Sequence, residues 1–248
     1  MAALGLSVIA MIDRGIDHMS SVINLFHGSD HIVEKPMFGK GRKNNDYGLG
    51  FYCTESVELA KEWAVDIDRD GYANHYSIDT SSLRFLNLND GNYHILNWLA
   101  ILLDNRSFEI NTPIAAEGKE YILSHFLPAY KDVDIVRGYR ADDSYFSFAS
   151  AFLNNIISLP VLEKAMMLGD LGEQIVLISS KAFERIRYIG SDVSDSTKYY
   201  PLKKSRDDHA RDEYDRLKNE STIKDIFILD IMREEWDDDD TRLRKTLS

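Results

Sequence analysis

One cysteine, Cys53, stands in 248 residues, so no internal disulfide can staple this chain and a reducing, cytoplasmic setting is expected. Cys53 follows Tyr52 in an apolar stretch and reads as packing. No run reaches the roughly 20 apolar residues of a membrane span. The stretch from Met1 to Met11 is apolar, but it has no positively charged start and Asp13 and Arg14 interrupt it, so neither a signal peptide nor a membrane anchor is read. Positive charge is also in deficit: 29 Lys and Arg face 41 Asp and Glu, a formal net charge of -12. Unspecific nucleic-acid binding depends on neutralising phosphates and is disfavoured, although a local basic groove stays open. There is no internal repeat and no low-complexity linker, and His75, His94 and His125 lie at no recognisable metal spacing, so no metal cofactor is expected.

What is present is an ordinary globular composition, 44% hydrophobic and 28% charged, in a chain long enough for one large domain with extensions. Residues 2 to 19 read as an amphipathic helix, giving an N-terminal helical extension over 1–21. The apolar segment 22–26 reads as a strand running into His27-Gly28-Ser29, and 49–54 as a second strand behind Gly48 and Gly50. From Glu55 to Ile67, the spacing of Leu59, Trp63 and Ile67 predicts a helix with Thr54 at its N-cap and Trp63 on its buried face. Strands are expected at 72–78, 83–88, 134–138 and 174–179, and helices near 92–104, 114–126, 144–155 and 160–168. A last strand near 185–189 is expected beside 174–179. This mixed order is α+β. From Ser191 the chain turns charge-rich and glycine-free, with a helix expected near 203–219 and an apolar segment 223–232 that must be covered by the main domain; Asp237 to Asp240 are expected in solvent.

Three short pieces stand out. They are His27-Gly28-Ser29, the run Tyr47-Gly48-Leu49-Gly50-Phe51-Tyr52, and Glu173 at the head of Gln174-Ile175-Val176-Leu177-Ile178. Each lies where an apolar strand meets a turn, which is how a preformed small-molecule site offers a few polar groups at the ends of buried backbone. Between the first two pieces lie Lys35, Lys40, Arg42 and Lys43, a basic cluster in an acidic chain. Arg42, whose planar fork suits bidentate phosphate contact, is the best candidate in it to meet an anionic ligand, with a solvated loop as the alternative reading. The run Arg140-Ala141-Asp142-Asp143-Ser144-Tyr145 puts a cation and two acids at a strand-to-helix junction; the alternative to a site role is that an acid or Ser144 caps the helix.

Together, Leu25-Phe26-His27-Gly28-Ser29, the run from Tyr47 to Thr54 and Glu173 before its strand resemble the three signatures of the His-Tyr-Glu class of ADP-ribosyltransferases, that of diphtheria toxin and the poly(ADP-ribose) polymerases. The likeness is closest to the polymerase-type motifs and covers 22 to about 190. Asn44-Asn45-Asp46-Tyr47-Gly48 and the 140–146 segment are similar to a bacterial family of uncharacterised proteins related to that class. The resemblance implies split mixed and antiparallel sheets flanked by helices over 22–190 and NAD as the substrate; the composition shift at Ser191 adds a charged helical C-terminal extension over 191–248, docked on that domain. It implies that His27 meets the adenosine-side ribose, that the Gly28 backbone and Ser29 hydroxyl hold the nicotinamide amide, and that Tyr52 stacks on the nicotinamide. Trp63, eleven residues after Tyr52, would be a second stacking aromatic. Tyr47 would line the same pocket, and Arg140, Asp142 and Asp143 the acceptor side.

Glu173 is the implied catalytic carboxylate, acting with His27 and Tyr52. About 4 Å from a developing oxocarbenium ion, a carboxylate is worth on the order of 4 kcal/mol at an effective dielectric near 20, about a thousandfold in rate. Arginine-modifying relatives carry a second Glu two residues before the catalytic one, and Leu171 stands there instead, so an arginine acceptor is disfavoured. The expected function is NAD-dependent mono-ADP-ribosyl transfer to a protein or nucleic-acid acceptor, in a bacterial toxin or phage-defence effector with an antitoxin as a further partner. An NAD glycohydrolase and a silent NAD- or partner-binding module are the alternatives.

Overall fold

The computed structural model describes residues 22–140, 145–168 and 172–243. The expected N-terminal helix over 1–21 lies outside the described residues. In chain order the elements are β1 (Val22–Ser29), β2 (Phe51–Cys53), α1 (Val57–Ala64), β3 (Gly71–Asp79), β4 (Phe85–Asn87), α2 (Ile95–Asn105), α3 (Pro113–Phe126), β5 (Ile135–Tyr139), α4 (Tyr145–Leu153), α5 (Leu159–Ala165), β6 (Glu173–Leu177), α6 (Ser180–Arg185), β7 (Ile186–Ser194), α7 (Ser196–Leu217) and α8 (Ile228–Arg233). The class is α+β. One sheet, β1-β3-β7, is antiparallel; the other, β2-β6-β5-β4, is mixed because β4 and β5 run parallel. A two-bond bridge between Phe26 and Thr54 joins them, at 2.8 and 2.9 Å.

Strand alternation sets two cores. Ile175 and Leu177 of β6 turn to a smaller core with Ile23, Leu25, Cys53, Ile78 and Ile135, while Val176 turns to the larger, helical one. The larger core is built around α2, in which every residue from Ile95 to Leu103 is buried and all but Asn97 are apolar; a helix covered on every side has to be central. Ile228, Ile231, Trp236 and Leu243, C-terminal to the two sheets, join that core, so much of the apolar segment 223–232 is covered, with Ile223 fully exposed. Cys53 is wholly buried, and burial pushes its thiol well above the ordinary range, which leaves it a packing residue.

Four local expectations are corrected. β7 pairs with β3, not beside β6, because the Ser179 side chain caps α6 by accepting from the Ala182 N–H at 3.1 Å, and that helical turn carries the chain across to the other sheet. Ser56, not Thr54, caps α1, since the Thr54 backbone is held in the bridge to Phe26. α1 stops at Ala64, where a tight bridge from Asp66 to Arg69 with Asp68 at φ 54 turns the chain and leaves Ile67 64% exposed. α7 starts at Ser196, seven residues early, because the Asp195 side chain accepts from the Thr197 N–H at 2.8 Å and caps it there.

α7 docks on α1 through charge. Glu62, with a side chain 5% exposed, takes Arg206 Nε at 2.9 Å, and the Tyr199 hydroxyl donates to Glu58 at 3.1 Å. In the acidic stretch Asp238 is not simply solvated: it accepts from Asn97 Nδ2 at 2.5 Å and lies 3.2 Å from His94 Nε2. No helix among the described residues is long and apolar enough to cross a membrane.

Candidate active site

The His-Gly-Ser turn is shaped by packing. β1 runs beneath α1 at Gly28, where a Cβ would lie 2.1 Å from the Ala60 carbonyl oxygen and 2.9 Å from Trp63 Cβ. Only glycine allows that approach, and the approach sets Trp63 above the end of β1. The Ser29 hydroxyl donates to the His31 carbonyl at 2.7 Å and accepts from Asn74 Nδ2 at 2.9 Å, while Asn74 Oδ1 takes the Val33 N–H at 3.0 Å. Fully buried Asn74 thereby pins the start of the 30–50 loop.

A cleft of about 550 Å³ opens here, within the range of small-molecule sites, about 300 to 1,000 Å³. His27, Tyr52, Trp63 and Arg140 all line it. Gly28, Ser29, Arg42, Tyr47 and Glu173 are not among the lining residues, and Asp142, Asp143 and Leu171 lie outside the described residues.

His27 Nδ1 lies 2.7 Å from the Tyr52 carbonyl oxygen. A carbonyl can only accept, so Nδ1 carries the proton and Nε2 keeps a lone pair for a ligand donor. Burial holds the imidazole below its ordinary range, against the Tyr52 hydrogen bond, and His31 lowers it further, so the ring is neutral near pH 7. Tyr52 closes its own hairpin: its hydroxyl donates to the Gly48 carbonyl at 2.6 Å and accepts the Tyr47 N–H at 3.1 Å. Tyr47 is a core residue, 2% exposed, whose phenol donates to the Tyr139 carbonyl at 2.7 Å and accepts from Trp98 Nε1 at 2.8 Å. Its side chain has no face to offer a ligand. The Arg140 guanidinium sits 4.6 Å from the Trp63 ring centre, a cation-π pair.

The cleft is electropositive within an acidic chain. Lys35, Lys40, Arg106 and Arg140 line it, and Asp46 is the one carboxylate among the lining residues. Buried Asp46 is itself tied, to Gln174 Nε2 at 3.0 Å and to Arg106 Nε at 3.4 Å. Arg42 is exposed, whereas Lys35 and Lys40 from the same cluster reach the cleft. Arg106, Gln174, Phe51 and Phe183 were missed from sequence. Arg106 follows the end of α2 and nothing in its neighbours marks it; Phe51 could have been found, because it adjoins Tyr52 and its ring packs 4.4 Å from that of His27.

Glu173 opens β6 next to cleft-lining Gln174. Its backbone pairs with Tyr139, and the preceding Gly172 carbonyl accepts the Arg140 N–H at 3.3 Å, tying its end of β6 to the Arg140 edge of the cleft. Glu173 Oε1 takes Asn89 Nδ2 at 2.6 Å and Oε2 takes Arg137 Nε at 2.7 Å. The far end of the Arg137 guanidinium pairs with Glu55.

Fold and site thus define an α+β protein whose two bridged sheets hold a cationic, aromatic-lined cleft suited to an anionic ligand with flat rings. Residues 23–188 match the family described as Protein of unknown function (DUF3990), and the chain belongs to that family. No curated protein and no solved structure matches the chain.

Proposed function

We propose that the chain is an NAD-dependent mono-ADP-ribosyltransferase that acts on a macromolecular acceptor in the bacterial cytoplasm, as a toxin or phage-defence effector held in check by an antitoxin. The observation that carries this reading is the convergence of His27, Tyr52 and Trp63, from β1, β2 and α1, on one cleft lined by four cationic side chains and one carboxylate. A pyrophosphate suits Lys35, Lys40 and Arg106, flat rings suit Tyr52 and Trp63, and a ribose hydroxyl suits the Nε2 lone pair of His27.

In the reaction the bond between the ribose C1′ and the nicotinamide nitrogen breaks, and nicotinamide leaves neutral with the electron pair. The positive charge left on the ribose is stabilised by the Glu173 carboxylate, which stands outside the cleft lining, beside cleft-lining Gln174 at the Arg140 edge, so the ribose must reach past that edge. An acceptor nucleophile then bonds C1′ and gives up its proton. No metal enters these steps.

The deciding experiment is mass spectrometry on a lysate given the protein and isotopically tagged NAD. Nicotinamide and a labelled macromolecule are expected. Free ADP-ribose as the sole product would make the protein a glycohydrolase, and NAD bound without nicotinamide formed over hours would make it a binding module.

His27 adds a pH signature. With its folded value held below the ordinary 6.5, the ring stays neutral and accepting at and above neutral pH. Nε2 takes up a proton and turns from acceptor to donor only as pH falls through that lowered value. The Kd for NAD by calorimetry is expected to be flat from about pH 6.5 to 8 and to weaken on further acidification in the wild type but not in His27→Gln.

A further inference from the structure

We infer that Arg137 and Asn89 are positioning residues that hold the Glu173 carboxylate in one orientation for reaction, an inference that rests on the transfer reading above. Glu173 is the first residue of β6 and its side chain is 41% exposed, so without partners it would sample several rotamers. Each of its oxygens instead has one fixed donor, Asn89 Nδ2 at 2.6 Å and Arg137 Nε at 2.7 Å. A carboxylate has about four acceptor positions, so roughly half remain for the substrate.

Both holders are themselves held. Arg137 is 14% exposed and its other edge is taken by Glu55. Asn89 leaves its Oδ1 buried with no partner, a cost the fold bears while the amide is turned to give its N–H to Glu173. The charge balance also fits: two carboxylates and one guanidinium leave a net charge of -1, so the ion pair does not cancel the field that a developing cation needs. Burial, as the larger cause, raises the phenols of Tyr139, on β5, and Tyr47, and the Glu173 charge raises both further.

The test is steady-state nicotinamide release by the full chain, with thermal unfolding of each variant alongside. Arg137→Gln is expected to lower kcat about 30- to 100-fold with KM for NAD within about twofold, the pattern of a misplaced reacting group. Arg137→Lys, which keeps the charge but not the two-ended fork, is expected to recover part of that loss. Asn89→Ala, in a half-buried loop, is expected to lower kcat about tenfold, and it decides the matter if Arg137→Gln does not fold. An unchanged kcat in well-folded variants overturns the inference, and so does a raised one, which would make the pair a brake. A loss in kcat matched by a rise in KM and a lowered melting temperature overturns it too, as a merely structural role. A wild type that releases no nicotinamide overturns the transfer reading itself, and this inference with it; a wild type that turns over beside indifferent variants sinks this inference alone.

Discussion

Replacing Glu173 by Gln is expected to slow nicotinamide release about a thousandfold while NAD binding stays within a few-fold of wild type. The two side chains are nearly the same size, and the Gln oxygen can still accept from Arg137 or Asn89, so the strand end keeps its shape. What is lost is the formal charge. At about 4 Å and an effective dielectric near 20 that charge is worth on the order of 4 kcal/mol, and at about 1.36 kcal/mol per decade the loss is close to three decades. Because the cation develops only as the bond breaks, the loss belongs in kcat rather than in KM. Single-turnover release, read with calorimetric NAD affinity, separates the two. A Glu173→Gln protein that turns over near the wild-type rate would remove this carboxylate from the mechanism.

Gly28→Ala is expected to damage stability and ligand binding together. The added carbon would stand 2.1 Å from the Ala60 carbonyl oxygen, 2.8 Å from the Ala64 nitrogen and 2.9 Å from Trp63 Cβ, all backbone or near-backbone atoms that no rotamer change can clear. α1 must lift. Overpacking against rigid backbone costs about 3 kcal/mol or more, which for a chain of this size lowers the melting temperature by roughly 6 to 12 °C. Lifting α1 also carries Trp63 away from the cleft, so NAD affinity should fall with stability. Circular dichroism melts of the two proteins check the first effect and calorimetry the second; an unchanged melting temperature would mean that α1 does not press on β1 as described.

These two residues show how much was legible in the chain. Gly28 was singled out as a backbone contact for a ligand, and its glycine is demanded by a helix crossing 32 to 36 residues further on. A sequence reader cannot see that, because the contact is between elements and leaves no local trace. Tyr47 is similar: it shares a motif with Tyr52, but strand and turn geometry send its ring into the core, against Trp98 and Tyr139. The elements themselves were more readable. From Ile95 to Leu103 α2 shows as an apolar run interrupted only by Asn97, and β1 as a short apolar segment, so their existence needed no tertiary information. Helix ends were less legible for a local reason: Ser56 and Asp195 cap α1 and α7 through bonds two or three residues along the chain, while apolar periodicity starts those helices elsewhere.

Sequence alone determined the α+β class, the apolar strand at 22–26 and the packing role of Cys53, because each depends on residue type and short-range spacing; His27, Tyr52 and Trp63, which line the cleft, are marked by the family resemblance of their motifs. The tertiary structure decided that β7 joins β3, that Arg106 and Gln174 complete the cleft and that Arg137 and Asn89 grip Glu173. Those outcomes are set by contacts between residues up to 128 positions apart, as for Asp46 and Gln174. Pairing at that range depends on how the two sheets are bridged, and local propensity carries no record of it.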